Sequence, residues 1–122
     1  MIGYVTIGTR DMEKAKDFYG QLLEPLGARL VIDMGRIALF GSGTGQPMLG
    51  VCIPYDEKEP HPGNGNMIAF SAGSEENVDR LYAKALELGA TDEGAPGKRG
   101  DTFYGGYFRD PDGNKAVFFH AG

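Results

Sequence analysis

Phe108-Arg109-Asp110-Pro111-Asp112-Gly113-Asn114-Lys115 is the stretch that makes the rest of the chain readable. Pro111 fixes its own φ, Gly113 accepts positive φ, and the short side chains of Asp110 and Asn114 bond to nearby backbone groups. Together they specify a tight turn. On either side lie Tyr104 to Arg109 and Lys115 to His120, both rich in aromatic and β-branched residues, which predicts two strands hinged at the turn. Upstream, Gly94 to Gly100 is glycine-rich and follows a weak strand near Ala90. Before that, Val78, Leu81, Tyr82, Ala85 and Leu86 recur at helical spacing. Ser74 with Glu75 and Glu76 starts that helix, and Leu88-Gly89 ends it. Asn66 to Ala72 reads as one more strand. The second half therefore runs strand, helix, strand, strand, strand.

The first half repeats this order. Ile2 to Ile7 is a strand bounded by Gly8-Thr9-Arg10. Asp11 caps a helix whose stripe is Ala15, Phe18, Tyr19, Leu22 and Leu23, closed by Pro25 and Gly27. Ala28 to Asp33, Arg36 to Gly41 and Pro47 to Pro54 follow as three antiparallel strands. Cap, aromatic and leucine recur 63 residues on (11 to 74, 19 to 82, 23 to 86), and Gly27-Ala28 recurs at Gly89-Ala90. The prediction is one domain over 1–122, built from modules of about 1–54 and 66–122 related by a pseudo-twofold. The segment 55–65, with Pro60, Pro62, Gly63 and Gly65, is the linker.

Composition removes several classes of function. The chain has 122 residues, enough for one ordinary domain. With 12 basic against 17 acidic residues the net charge is −5, which disfavours nucleic acid and anionic membrane as partners. One cysteine, Cys52, excludes an internal disulfide and a thiolate zinc module. No run approaches the ~20 apolar residues of a spanning helix, and Met1 to Ile7 lacks the pattern of a signal peptide. A cytoplasmic location is the expectation.

With the duplicated strand–helix–strand–strand–strand order in place, the chain resembles the vicinal oxygen chelate superfamily of glyoxalase I, bleomycin-resistance proteins and extradiol dioxygenases. The likeness rests on Thr9-Arg10-Asp11-Met12-Glu13-Lys14-Ala15 with Phe18-Tyr19, and above all on Phe108 to Lys115 before the last strand. It covers essentially the whole chain. It implies an α+β fold of two tandem βαβββ modules, with a curved sheet around a cleft and helices on the convex side. It also implies where a divalent metal would be held, by His and Glu from the first, fourth, fifth and eighth strands. Those positions carry Tyr4, a residue near Gly50 or Cys52, Met67 and Val117. Tyrosine is a rare ligand, thioether suits soft ions, and valine coordinates nothing. The resemblance thus comes without its metal ligands, and no cofactor is expected.

Other residues do not replace them. His61 lies in the linker, and His120 alternates away from Val117 and Phe119. Cys52, between Val51 and Ile53, has no adjacent base or cation to make it a thiolate, and reads as a small buried apolar residue. Gly41-Ser42-Gly43-Thr44-Gly45 joins two strands and leads into no helix, so it lacks the N-terminus that makes a phosphate cradle. It reads as a hairpin loop.

Alternation anchored on Tyr4, Met67 and Val117 yields an inner surface of Tyr4, Thr6, Arg36, Ala38, Phe40, Met48, Cys52, Met67, Ala69, Val117 and Phe119. Arg99 and Tyr104 are secondary candidates on a loop that borders the cleft in the family. The set is mostly apolar with one cation, which is how small-molecule pockets are composed. A collapsed core would have the same composition. Arg36 decides between them: it meets a ligand anion or an acidic side chain, or it faces water. The leading expectation is metal-free binding of a small, partly apolar molecule, anionic if Arg36 faces it, by a homodimer. The alternative is a lyase, isomerase or dioxygenase with divergent ligands.

Overall fold

A computed structural model describes residues 1–122. The chain forms two compact units, Met1–Pro62 and Gly63–Gly122. The first runs β1 (Tyr4–Gly8), α1 (Met12–Leu22), a 3-10 turn (Glu24–Leu26), β2 (Arg29–Asp33), β3 (Ile37–Gly41) and β4 (Met48–Cys52). The second runs β5 (Ile68–Ser71), α2 (Glu75–Glu87), β6 (Thr91–Lys98), β7 (Phe103–Arg109) and β8 (Lys115–Ala121). Each unit has one four-stranded sheet, ordered β1-β4-β3-β2 and β5-β8-β7-β6. In both, the first strand pairs parallel with the last and the other pairings are antiparallel. This is the α+β architecture of two βαβββ modules. No helix is long and apolar enough to cross a membrane.

The repeat is visible in the helix starts. The Asp11 carboxylate accepts from the Lys14 amide at 3.1 Å, and the Ser74 hydroxyl accepts from the Asn77 amide at 3.1 Å. The stripe residues Ala15, Phe18, Tyr19, Leu22 and Leu23 are all buried. The helix ends differ. Pro25 sits in the 3-10 turn, so α1 stops at Leu22, whereas α2 continues to Glu87. Leu23 therefore closes its helix in the core, while its sequence counterpart Leu86 is an exposed residue inside α2.

Strand register sets which residues α1 covers. Ala38 pairs with Val51 and Phe40 with Leu49, and all four are buried. The Phe40 ring reaches Gly20 of α1, where a Cβ would lie 3.8 Å from it. This corrects the reading of the third strand: Ala38 and Phe40 face the helix, and Ile37 and Leu39 face away. The sequence alternates correctly, but both faces of β3 are apolar, so periodicity alone could not orient it. In β2 a bulge falls between Leu30 and Ile32. The extra residue lets Arg29 and Val31 lie away from α1 while Asp33 lies on its side, where Lys16 of α1 pairs with it at 3.0 Å.

Two loops also depart from expectation. The glycine-rich stretch from Gly94 is part of β6, which stays paired to β7 through two register shifts. The segment after Pro54 is not a free linker. Pro60 lies against Gly8, and Arg10 pairs with Glu59 and donates to the Pro60 carbonyl at 3.5 Å.

In the second unit the core is aromatic. Phe118 lies between Phe70 and Phe108, with ring centroids 5.5 and 5.4 Å away. The turn that closes β7 onto β8 is organised by Asp110. Its carboxylate accepts from the amides of Asp112 and Asn114, each at 2.9 Å, and from the Asn114 side chain at 3.0 Å. Because Arg109 then faces Lys115, every pairing up the hairpin is fixed, including Tyr107 with Val117.

Candidate ligand-binding faces

In each unit one face of the sheet is covered by the helix, and the candidate residues fall largely on the other. In the first unit, Tyr4 pairs with Met48, Thr6 with Gly50 and Gly8 with Cys52, so these share the face turned away from α1. Tyr4 is 56% exposed, Thr6 is exposed, and Met48 and Cys52 are half-buried. Gly50 brings its neighbours into contact. A Cβ there would lie 2.8 Å from Leu39 Cδ2, 3.0 Å from Thr6 Cγ2 and 3.2 Å from the Val5 carbonyl oxygen.

Arg36 is not on this face as a free cation. It is a turn residue just before β3, its guanidinium donates to the Ile53 carbonyl at 2.9 Å, and it lies 5.3 Å over the Tyr55 ring. Those two partners take the place of the expected ligand anion, and Asp33 is engaged by Lys16 instead.

The second unit gathers more chemistry. Met67, just before β5, is 42% exposed, and Ala69 pairs with Val117 and Ser71 with Phe119. On the same face Phe103 stacks on Phe119, centroids 5.4 Å apart and planes within 5°. Gly105 makes room for this: a Cβ there would lie 2.8 Å from the Phe103 ring, 3.1 Å from Val117 and 3.5 Å from the Tyr107 ring. Two cations approach Tyr107, Arg99 at 5.3 Å and Lys115 at 5.7 Å from the ring centre. Arg99 is also held by the Ala95 carbonyl at 2.8 Å.

Tyr104 belongs elsewhere. Its hydroxyl donates to Asp79 of α2 at 2.7 Å, so it faces the helix, and that hydrogen bond is the main reason its pKa is raised. The cause of the misplacement is alternation: Tyr104 is one residue out of phase with Phe103, Gly105 and Tyr107. On the α2 side Tyr82 donates to Asp92 at 2.5 Å. Burial first, and the bond to Asp92 second, push the Tyr82 phenol up to about 12. His120 pairs in register with Tyr104, and His61 is exposed in the loop that precedes the second unit.

Tyr107, Phe103 and Lys115 were not among the residues singled out from the sequence. The signal was present. Once the Asp110–Gly113 turn pairs Arg109 with Lys115, counting back two residues on each strand sets Tyr107 beside Val117.

The four positions that hold a metal in the vicinal oxygen chelate pattern do not fit one here. Tyr4, Met67 and Val117 supply no imidazole or carboxylate. At the fourth-strand position the space over Gly50 is filled by Leu39 and Thr6, and Cys52 offers a single thiol with no imidazole or carboxylate at the remaining positions. No three His, Cys, Asp or Glu side chains come together to make another site.

Residues 1–118 match the Glyoxalase/Bleomycin resistance protein/Dioxygenase superfamily. The chain is similar to a glyoxalase/bleomycin resistance protein from Albidiferax ferrireducens, at 32% identity and a TM-score of 0.90, covering 100% of this chain and 99% of that one. It shares its fold with a glyoxalase/bleomycin resistance protein/dioxygenase family enzyme from Burkholderia phytofirmans, at 23% identity, TM-score 0.79, and 98% and 97% coverage. A glyoxalase-related enzyme from Fulvimarina pelagi has the same fold at 19% identity, TM-score 0.77, and 98% and 86% coverage. No curated protein matches the chain. With two βαβββ modules in hand and a family match across nearly its whole length, the chain belongs to the glyoxalase/bleomycin resistance protein/dioxygenase superfamily.

Proposed function

We propose that this protein binds a small, partly apolar, anionic molecule, without a metal ion at the superfamily's four positions. The observation that carries the reading is the Tyr107 ring approached by both Arg99 and Lys115, beside the stacked Phe103–Phe119 pair. Flat apolar surface next to two cations suits an aromatic or unsaturated anion: the rings take its plane and the cations its charge. Phe119, Met67 and Arg99 are the proposed contacts in the second unit, with the buried Val117 packed beneath them, and Tyr4, Thr6, Met48 and Cys52 in the first. Arg36, Phe40 and Tyr104 are engaged within the protein and leave the set.

The test is a titration with benzoate and naphthoate, read by NMR, with zinc or manganese absent and then present. Shifts centred on Tyr107, Val117 and Phe119, equal with and without metal, support the reading. Binding or turnover that appears only with metal supports the alternative, an enzyme with divergent ligands, and overturns this one.

We also propose a homodimer. Leu30, Ile32 and Met34 are exposed along the edge strand β2 and the turn after it, where unpaired backbone and apolar side chains favour association. Sedimentation equilibrium giving only the 13.1 kDa monomer at all concentrations refutes it.

A further inference from the structure

We infer that the cavity at the β3–β4 hairpin end of the first unit is a binding site for a small carboxylate with a short apolar tail, and that Arg29 holds the carboxylate. The cavity measures about 470 Å³, within the range of small-molecule sites. Its apolar wall is Val31 and Met48, its rim is Ser42, Thr44 and Gln46, and Arg29 is its one charged residue. No acidic side chain lines it, in a chain of net charge −5.

Three features shape this site. Arg29 pairs in register with Gly41, and the bulge that follows in β2 keeps Arg29 and Val31 on the face turned from α1. Gly41 has no side chain, so Met48 lies across it: a Cβ there would sit 2.9 Å from Met48 Cγ and 3.8 Å from Val31 Cγ2. The hairpin loop folds back through the Gln46 amide to the Gly43 carbonyl at 3.2 Å, with Gly45 at φ +80°, a conformation that favours glycine.

Arg29 differs from the other arginines of the chain. Arg10 pairs with Glu59, Arg36 with Ile53 and Tyr55, Arg80 with Asn77, Arg99 with Ala95 and Tyr107, and Arg109 with Glu93 and Gly113. The Arg29 guanidinium has no hydrogen bond and no ion pair within the protein, and neither hydroxyl of Ser42 and Thr44 is bonded. A planar guanidinium fork matches a carboxylate through two parallel bonds, and the adjacent hydroxyls can donate to its remaining lone pairs. Val31 and Met48 then cover an alkyl tail. Thioether and branched methyl surface is tolerant of tail shape, so the head group carries the selectivity.

Met48 also belongs to the first-unit contacts proposed above, but the inference stands apart from the Tyr107 reading, because Arg29 and the loop residues Ser42, Thr44 and Gln46 that report on it have no part in that reading. The experiment compares hexanoate with hexanol, and inorganic phosphate as a second anion, by NMR titration of the full chain. Hexanoate is expected to shift the amides of Ser42, Thr44 and Gln46, with hexanol binding more weakly by about 10- to 100-fold, the worth of hydrogen bonds to a charged group. Arg29→Ala removes that preference, leaves hexanol unchanged, and keeps the fold because Arg29 is exposed; Arg29→Lys restores part of it. Phosphate binding at Arg29 without a preference of hexanoate over hexanol would overturn the carboxylate-and-tail assignment. So would hexanoate binding that Arg29→Ala does not alter, or no shift of the three loop amides. Hexanoate shifts confined to Tyr107 and Phe119 would overturn this site while supporting the one in the second unit.

Discussion

Replacing Asp110 with alanine tests the turn on which the second unit depends. Asp110 and Asn114 are 4% and 8% exposed, so water cannot easily replace the lost carboxylate. Three donors lose their acceptor: the Asp112 amide, the Asn114 amide and the Asn114 side chain. Hydrogen bonds to a charged group contribute about 1.5–3 kcal/mol each, but these three share one acceptor and are not additive. The half-buried Asp112 amide can recover a water. We therefore expect a loss of about 2–4 kcal/mol, which for a chain of this size lowers Tm by roughly 10 °C. Pro111, Gly113 and the bond from the Gly113 amide to the Asp110 carbonyl remain, so the variant should still fold. Asp110→Asn is the control. Its amide oxygen keeps both backbone donors, and the Asn114 side chain can turn its own oxygen toward the new NH₂ group, so about 1 kcal/mol should be lost. Urea denaturation gives the free energies, and hydrogen exchange at Asp112 and Asn114 localises the change. If Asp110→Ala falls within ~0.5 kcal/mol of the parent, or Asp110→Asn is as damaging as alanine, the carboxylate does not organise this turn.

Three other outcomes follow from the packing. Phe118→Ala empties the space between Phe70 and Phe108 and should cost about 3–5 kcal/mol, read by urea denaturation; a loss under ~1 kcal/mol would mean that the stack carries little. Gly50→Ala places a methyl 2.8 Å from Leu39 Cδ2 and should cost about 1–3 kcal/mol, partly relieved when Leu39→Ala is added; strict additivity of the two would refute the contact. Tyr82 has its folded pKa raised from 10.0 to about 12, so the stability gained by keeping its phenol protonated is complete below pH 10 and lost as pH rises toward 12. Asp92 is lowered, chiefly by the same bond, so its part is present above pH 3.8 and lost as pH falls through its folded pKa. Tyr82→Phe should flatten both limbs of the urea midpoint against pH, and curves parallel to the parent would disprove the pairing.

The order of elements, both helix caps and the closing turn were legible because each is written in local chemistry. Asp11 and Ser74 cap because a short oxygen-bearing side chain stands ahead of an apolar stripe, and the Asp110–Gly113 turn forms because its residues permit little else. Faces were less legible, for two physical reasons. β3 is apolar on both sides, so Ile37-Ala38-Leu39-Phe40 fits either orientation, and the approach of Phe40 to Gly20 of α1 decides it. β2 contains a bulge, which no alternation count anticipates, and the bulge separates Arg29 from Asp33 onto opposite faces.

Register also separates Arg36, which stands out in the sequence, from Arg29, which does not. Alternation sets a cation next to a two-faced apolar strand over a pocket, yet the turn at Met34-Gly35 places it within reach of the Ile53 carbonyl. Arg29 precedes three apolar residues in an edge strand, and nothing in its local sequence singles it out. Its significance depends on Gly41 across the ladder, on Met48 lying where a Gly41 side chain would be, and on a loop that returns beside it. Those are relations between strands. They become readable only when register is known, and register in this fold is set by turns and bulges more than by the apolar pattern.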